Sequence, residues 1–263
     1  MKLRPLGHTG LMVSPLGLGT VKLGRNEGVK YPSGFDLPDD AAALALLEAA
    51  CDLGINLLDT APAYGLAEIR LGRLLPRIAG RRREDWLLVS KAGEDFEHGV
   101  SQHDFSAEAV RASVLRSLER LDTPYLDAVL LHSDGVDEAG ARFLPAVAAL
   151  EQLKREGLIR LSGFSGKSLA GGMRMIDCVD LLMVTYNEHE TEQRPLIELA
   201  GQRGRGVLVK KALASGHSQA PGAALAAALA VPGVSSVVVG TLSPGHLRAN
   251  MAAVAGQTEA RTG

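Results

Sequence analysis

The chain has 263 residues, 46% hydrophobic and 22% charged, with 28 Lys and Arg against 30 Asp and Glu for a net charge of −2. That balance excludes overall disorder and leaves no basic excess for nucleic-acid or anionic-membrane binding. Two distant cysteines, Cys51 and Cys178, form no CxxC pair and have no His at ligand spacing, which excludes a disulfide framework, argues against structural zinc and fits a reducing cytosol. Glycine supplies 30 residues, above the usual ~7%, so tight connections are many. Aromatics are only 4%, so no pocket here is a large aromatic cage.

Residues 3–6 and 11–14, joined by Gly7-His8-Thr9-Gly10, read as a small β-hairpin that plugs one mouth of the fold. No apolar stretch follows Met1-Lys2-Leu3-Arg4-Pro5 before Gly7. The longest apolar run, 222–231, stops at Pro232, short of the ~18 residues a membrane span needs. A cytoplasmic chain with no membrane partner is expected.

Strand and helix patterns then alternate. Residues 15–20 read as a strand. A helix begins at Asp39 or Asp40, carries Leu44, Leu47 and Cys51 on one face, and closes at Gly54. Strand 55–60, helix 66–79 and strand 86–91 follow. Ser106 is an N-cap with Glu108 in the first turn, and Val110, Val114, Leu118 and Leu121 keep one face apolar. Strand 126–132 and helix 138–156 come next, the latter ending in Lys154-Arg155 before Gly157. The remaining strands are 159–165, 181–187, 206–211 and 235–240; the remaining helices are 168–175, 192–202, 221–230 and 245–254.

Eight such alternations mean a parallel sheet. Eight units of about 30 residues consume nearly the whole chain, which favours a closed (β/α)8 barrel over an open doubly wound sheet. One domain, 1–263, is expected. In barrel enzymes the chemistry lies at strand C-termini. Here those ends offer Asp59, with Tyr64 in the loop after it, then Lys91 and His132. An ammonium beside a phenol stabilises the phenolate, a carboxylate holds the ammonium, and an imidazole hydrogen-bonds a substrate oxygen. The set suits proton delivery to a carbonyl oxygen while a hydride arrives from a cofactor. Gly163-Phe164-Ser165-Gly166-Lys167-Ser168 ends like a phosphate-binding loop, but Leu161 stands where its first Gly belongs.

The segment Gly54-Ile55-Asn56-Leu57-Leu58-Asp59-Thr60-Ala61-Pro62-Ala63-Tyr64-Gly65 resembles the signature of the aldo-keto reductase superfamily. The resemblance continues through Val89-Ser90-Lys91, residues 126–132, 154–160 and 237–247, and so covers nearly the whole chain. It implies an α/β fold, the (β/α)8 TIM barrel, and NADPH-dependent reduction of a small carbonyl substrate without a metal. It makes Tyr64 the general acid, Lys91 the group that lowers its pKa, Asp59 the Lys91 counter-ion and His132 the substrate-orienting residue.

On the cofactor side the chain departs from the family. Ser165-Gly166 stands where Ser-Asn holds the nicotinamide carboxamide, Met183 where a Gln is common, and Lys210 where an aromatic stacks on the ring. By the same resemblance Thr20 joins the cofactor contacts; Lys210 or Lys211, in place of the aromatic, is either a contact to a cofactor phosphate or a solvated or ion-paired lysine. Gly240 and Thr241 open the last helix, whose N-terminus suits a phosphate. Asn250 matches an adenine contact, and His246 stands where an Arg often binds the 2′-phosphate. NADPH is favoured, with NADH the alternative. Val21 replaces a frequent Trp, and few residues follow 250–253 to form a covering C-terminal loop, so the pocket is expected to be open. The insertion 25–38, with Tyr31 and Phe35, is either a replacement wall or a flexible surface loop. The competing functional reading is a dinucleotide-binding barrel with little catalysis, acting as a regulatory or sensing subunit.

Overall fold

The structure, a computed structural model, describes residues 2–136 and 140–259. A short antiparallel pair comes first, β1 (Arg4–Pro5) and β2 (Met12–Val13). Three parallel strands follow: β3 (Leu16–Gly19), β4 (Leu57–Asp59) and β5 (Leu87–Ala92). A second antiparallel hairpin, β6 (Glu94–Glu97) and β7 (Val100–His103), interrupts the series. The series resumes with β8 (Leu126–His132), β9 (Ile159–Ser165), β10 (Leu181–Thr185), β11 (Gly206–Lys210) and β12 (Ser236–Val239). The eight parallel strands close into a barrel in the order β10-β11-β12-β3-β4-β5-β8-β9.

The strands read as continuous apolar runs because both faces are buried. One face turns inward: Leu57, Val89, Leu130, Leu181, Met183 and Leu208 fill the barrel together with Leu6 and Val13. Leu6 packs against Gly206 at the start of β11, and His8 N donates to Gly204 O at 2.7 Å. The N-terminal hairpin therefore seals the mouth where the strands begin and leaves the opposite mouth for chemistry. The other strand faces meet an outer layer of helices in a larger core that includes Leu47, Val114, Leu150 and Ile197.

Capping starts several helices where the sequence indicates. Asp39 Oδ1 accepts from Ala42 N at 2.7 Å, and Ser106 and Ser168 cap their helices in the same way; each such cap stabilises by about 1 kcal/mol. Some boundaries move. The helix expected over 66–79 is Ala67–Leu74 followed by a tight turn, Leu75–Arg77, because Pro76 brings no N–H to continue it. The helix expected over 138–156 is Leu144–Arg155, preceded by a turn, Gly140–Phe143; Pro145 takes the first-turn position that proline tolerates, and Glu138 lies outside the described residues. The β6–β7 hairpin has no counterpart in the sequence reading. Its residues are mostly polar and none is fully buried, so no apolar alternation marks it. Its turn rests on His98 and Gly99, with φ of 50° and 81°, the left-handed pair that tight hairpins require. Among the described residues no helix is long and apolar enough to cross a membrane.

Candidate active site

At the open mouth, Asp59 ends β4, Lys91 sits near the end of β5 and His132 ends β8, three adjacent strands. Lys91 Nζ donates to Asp59 Oδ1 at 2.6 Å and to Thr60 O at 2.8 Å. Lys91 is 1% exposed and Asp59 4%. Thr20 is fully buried, and both its amide and its hydroxyl donate to Asp59 O, at 2.9 and 3.0 Å. It holds the strand that carries the carboxylate.

Tyr64 is delivered by a single turn, Pro62–Tyr64. The turn is clamped by two glycines. Gly65 has φ of +60°, and a Cβ on Gly24 would lie 2.3 Å from Tyr64 O and 2.1 Å from Ala67 N. Backbone meets backbone here, which is the close approach glycine permits. Lys91 Nζ lies 4.7 Å from the centre of the Tyr64 ring, and the Tyr64 and His132 rings meet edge-on with centroids 6.4 Å apart.

The unanticipated hairpin completes this cluster. Glu94 Oε2 lies 2.6 Å from His132 Nδ1. Glu94 Oε1 accepts from Ser101 Oγ across the hairpin at 2.6 Å. Phe96 forms a floor for Arg25, whose guanidinium carbon stands 3.3 Å from the ring centre. Neither Glu94 nor Arg25 carries a motif; only the His98-Gly99 turn signals that this segment folds back over the mouth.

Burial governs the protonation states. It raises the Tyr64 phenol above its ordinary value, and the Lys91 ammonium only partly opposes it. The simple expectation that Lys91 sets a lowered phenol pKa therefore does not describe the cavity by itself. Burial likewise raises Asp59 despite Lys91. Burial would lower Lys91, but Asp59 and Tyr64 outweigh it and hold the ammonium charged. His132 is pushed down to about 4 by burial, against the pull of Glu94, so the imidazole is neutral at neutral pH. Lys210 is lowered to about 7 by burial and by Lys211, Lys91 and Lys167.

A cavity of about 340 Å³ opens over this cluster, lined by Asp59, Tyr64 and His132 on one side and Lys210, Lys211 and Gly240 on the other. Val21 also lines it, as does Tyr31 of the insertion. Tyr31 packs edge-on against Phe35 with centroids 5.6 Å apart, and Lys22 Nζ sits 4.0 Å over its ring. The insertion is thus a wall of the cavity. Ser165 and Gly166 lie beneath: Lys210 Nζ donates to Ser165 Oγ and Gly166 O, both at 2.9 Å. Met183 turns into the barrel core. Thr241, His246 and Asn250 lie beyond the cavity edge. Thr241 Oγ1 accepts from Ser243 N at 3.1 Å, and Ser243 Oγ accepts from His246 N at 3.2 Å, capping the helix Pro244–Glu259. Asn250 is buried and His246 exposed.

A closed parallel barrel whose open mouth carries a phenol, an ammonium–carboxylate pair and an imidazole defines an oxidoreductase-type barrel. Residues 15–220 match the model of the Aldo/keto reductase family, and the chain belongs to that family. It is 33% identical over 225 residues to L-galactose dehydrogenase of Arabidopsis thaliana, covering 82% of this chain but only 66% of that enzyme. Among solved structures it is similar to a Pseudomonas aeruginosa chain assigned to the aldo-keto reductases. That pair has a TM-score of 0.87 and 52% identity, covering 97% of this chain and 95% of the other. A holo aldo-keto reductase of Bacillus halodurans superposes with a TM-score of 0.79 at 29% identity, covering 97% and 91%.

Proposed function

We propose that this barrel reduces a small aldehyde or ketone with NADPH, or oxidises the matching alcohol, with Tyr64 as the proton-transferring group. The observation that carries the reading is the convergence of Asp59, Tyr64 and His132 on one cavity, with Lys91 buried behind them against Asp59 and the Tyr64 ring. Lys22, Lys167, Lys210 and Lys211 line the same cavity, and its lining carboxylate, Asp59, is already engaged by Lys91. Such a lining fits a dinucleotide, whose phosphates are anionic. Lys210 and Lys211 stand on the side toward Gly240, and Asn250 and His246 extend that side along the last helix. When bound, the dihydronicotinamide supplies the hydride.

The chain supplies the proton and the geometry. As hydride adds to the carbonyl carbon, negative charge develops on the oxygen, and Tyr64 Oη donates its proton there. A phenol kept protonated by burial is the competent donor at neutral pH. The Lys91 ammonium stabilises the phenolate left behind, and Asp59 keeps that ammonium in place. Nδ1 of the neutral His132 lies 2.6 Å from the Glu94 carboxylate, which favours the tautomer with its proton on Nδ1. Its Nε2 is then an acceptor, which suits the hydroxyl on the alcohol side of the reaction. Fluorescence titration with NADPH and NADH tests the reading. Binding of NADPH is expected, with NADH the weaker ligand; binding of neither refutes it.

A further inference from the structure

The loop after β3 carries a cation that the reaction outlined above does not use. Arg25 lines the cavity with Tyr64 and His132. Its Nε donates to Glu27 O at 2.8 Å, its Nη1 to Ala63 O at 3.0 Å and its Nη2 to Gly28 O at 3.3 Å. Its plane rests on Phe96. All these partners are neutral. No carboxylate of the described residues comes within ion-pair distance of Arg25; Glu94, on the same hairpin as Phe96, is engaged by His132 and Ser101. A guanidinium has five N–H donors, and the three bonds leave one N–H on each terminal nitrogen. Charged N–H groups of this kind are what a carboxylate pairs with.

Position separates Arg25 from the lysines attributed to the cofactor. It leans over the β4–β5 arc, against the Tyr64 loop through Ala63 and against the β6–β7 hairpin through Phe96. Gly240 and the last helix lie beyond β12, on the other side of β3. A half-buried guanidinium fixed by neutral acceptors carries a cost in desolvation that the nearby charges of Glu94 and Glu27 offset only in part. A ligand anion would offset it.

We propose that Arg25 receives the carboxylate of the substrate, so that the enzyme's preferred substrates are short carbonyl acids whose aldehyde or keto group reaches Tyr64 while the carboxylate meets Arg25. The proposal rests on the reductase reading of the same site.

The test compares 4-oxobutanoate with its uncharged amide, 4-oxobutanamide, as substrates with NADPH. In the wild type kcat/KM for the acid should exceed that for the amide by about 10- to 100-fold, the range of a charge-assisted contact. In Arg25→Met the ratio should fall to near one, chiefly through KM for the acid, whereas Arg25→Lys should retain part of it because charge survives without the guanidinium. The ratio cancels any general damage from moving the Tyr64 loop. A wild-type ratio near one, or a ratio unchanged in Arg25→Met, overturns the assignment while leaving the reductase reading standing. Turnover of neither compound counts against the reductase reading instead. Calorimetric binding of succinate then decides the anion site separately: weaker binding to Arg25→Met supports it, and equal or absent binding to both proteins overturns it.

Discussion

Replacing Lys91 by Met probes the coupling between chemistry and stability at the mouth. Lys91 and Asp59 are almost completely buried, with 2.6 Å between Nζ and Oδ1. Removing the ammonium leaves a buried carboxylate and takes the donor from Thr60 O. Breaking a buried pair from one side costs about 3–5 kcal/mol. For a chain of this size each kcal/mol lowers Tm by about 2–4 °C, so Lys91→Met should melt roughly 6–20 °C below wild type. The loss should depend on pH in a defined direction. The Asp59 pKa is already raised by burial, and without Lys91 it rises further. A carboxyl whose folded-state pKa exceeds its unfolded value destabilises above the unfolded value, and the penalty grows until pH passes the folded one. Urea unfolding should therefore show a smaller penalty at about pH 5 than at about pH 8. Replacing both partners, Asp59→Leu with Lys91→Met, should recover much of the loss, since apolar pairs of similar volume are tolerated where half an ion pair is not. A penalty below about 1 kcal/mol, or one that is equal at both pH values, would refute the reasoning.

Gly24→Ala places a methyl against the backbone of Tyr64 and Ala67. Overpacking of this kind costs about 1–3 kcal/mol, and turnover should fall with stability because the turn that aims Tyr64 must shift; a variant with wild-type Tm and turnover would show that the clamp is loose. Dinucleotide affinity should also weaken as pH rises through about 7, where the Lys210 ammonium titrates. A bound phosphate favours the protonated lysine, so affinity is full below that value and declines above it. Titrations across that range should show the slope in wild type and a flat profile in Lys210→Met; an identical slope in both proteins would place the titrating group elsewhere.

The parts of the site that were legible in the sequence are those set by sheet periodicity. Asp59, Lys91 and His132 end apolar strand runs, so placing the strands placed the residues on one rim. The plug was legible for the same reason, because Leu6 and Val13 are apolar positions flanking a glycine-bounded turn. What escaped lies on polar, one-layer structure. Glu94 and Phe96 sit on a hairpin with no buried stripe, and Arg25 sits in an insertion whose role as a wall depends on Tyr31 reaching Gly240. The sense of the Tyr64 shift escaped as well. Counting neighbouring charges predicts a lowered phenol pKa, whereas desolvation, which depends on three-dimensional enclosure, is the larger effect. Position 210 illustrates a further limit. The family resemblance indicates what Lys210 replaces, but only the fold shows that Ser165 and Gly166, the latter itself a departure from the family pattern, are the groups that hold it.

The central claim is that Tyr64 transfers the proton in a dinucleotide-dependent carbonyl reduction. Its most direct test is turnover of a reactive small aldehyde by wild type and Tyr64→Phe at saturating NADPH, with dinucleotide occupancy of both proteins confirmed by fluorescence. The phenol oxygen is the only atom removed, so NADPH should still bind while alcohol formation falls by at least the ~10²–10⁴-fold associated with a general acid. Undiminished alcohol formation by Tyr64→Phe would contradict the account, and so would a wild-type protein that binds NADPH but reduces no carbonyl compound.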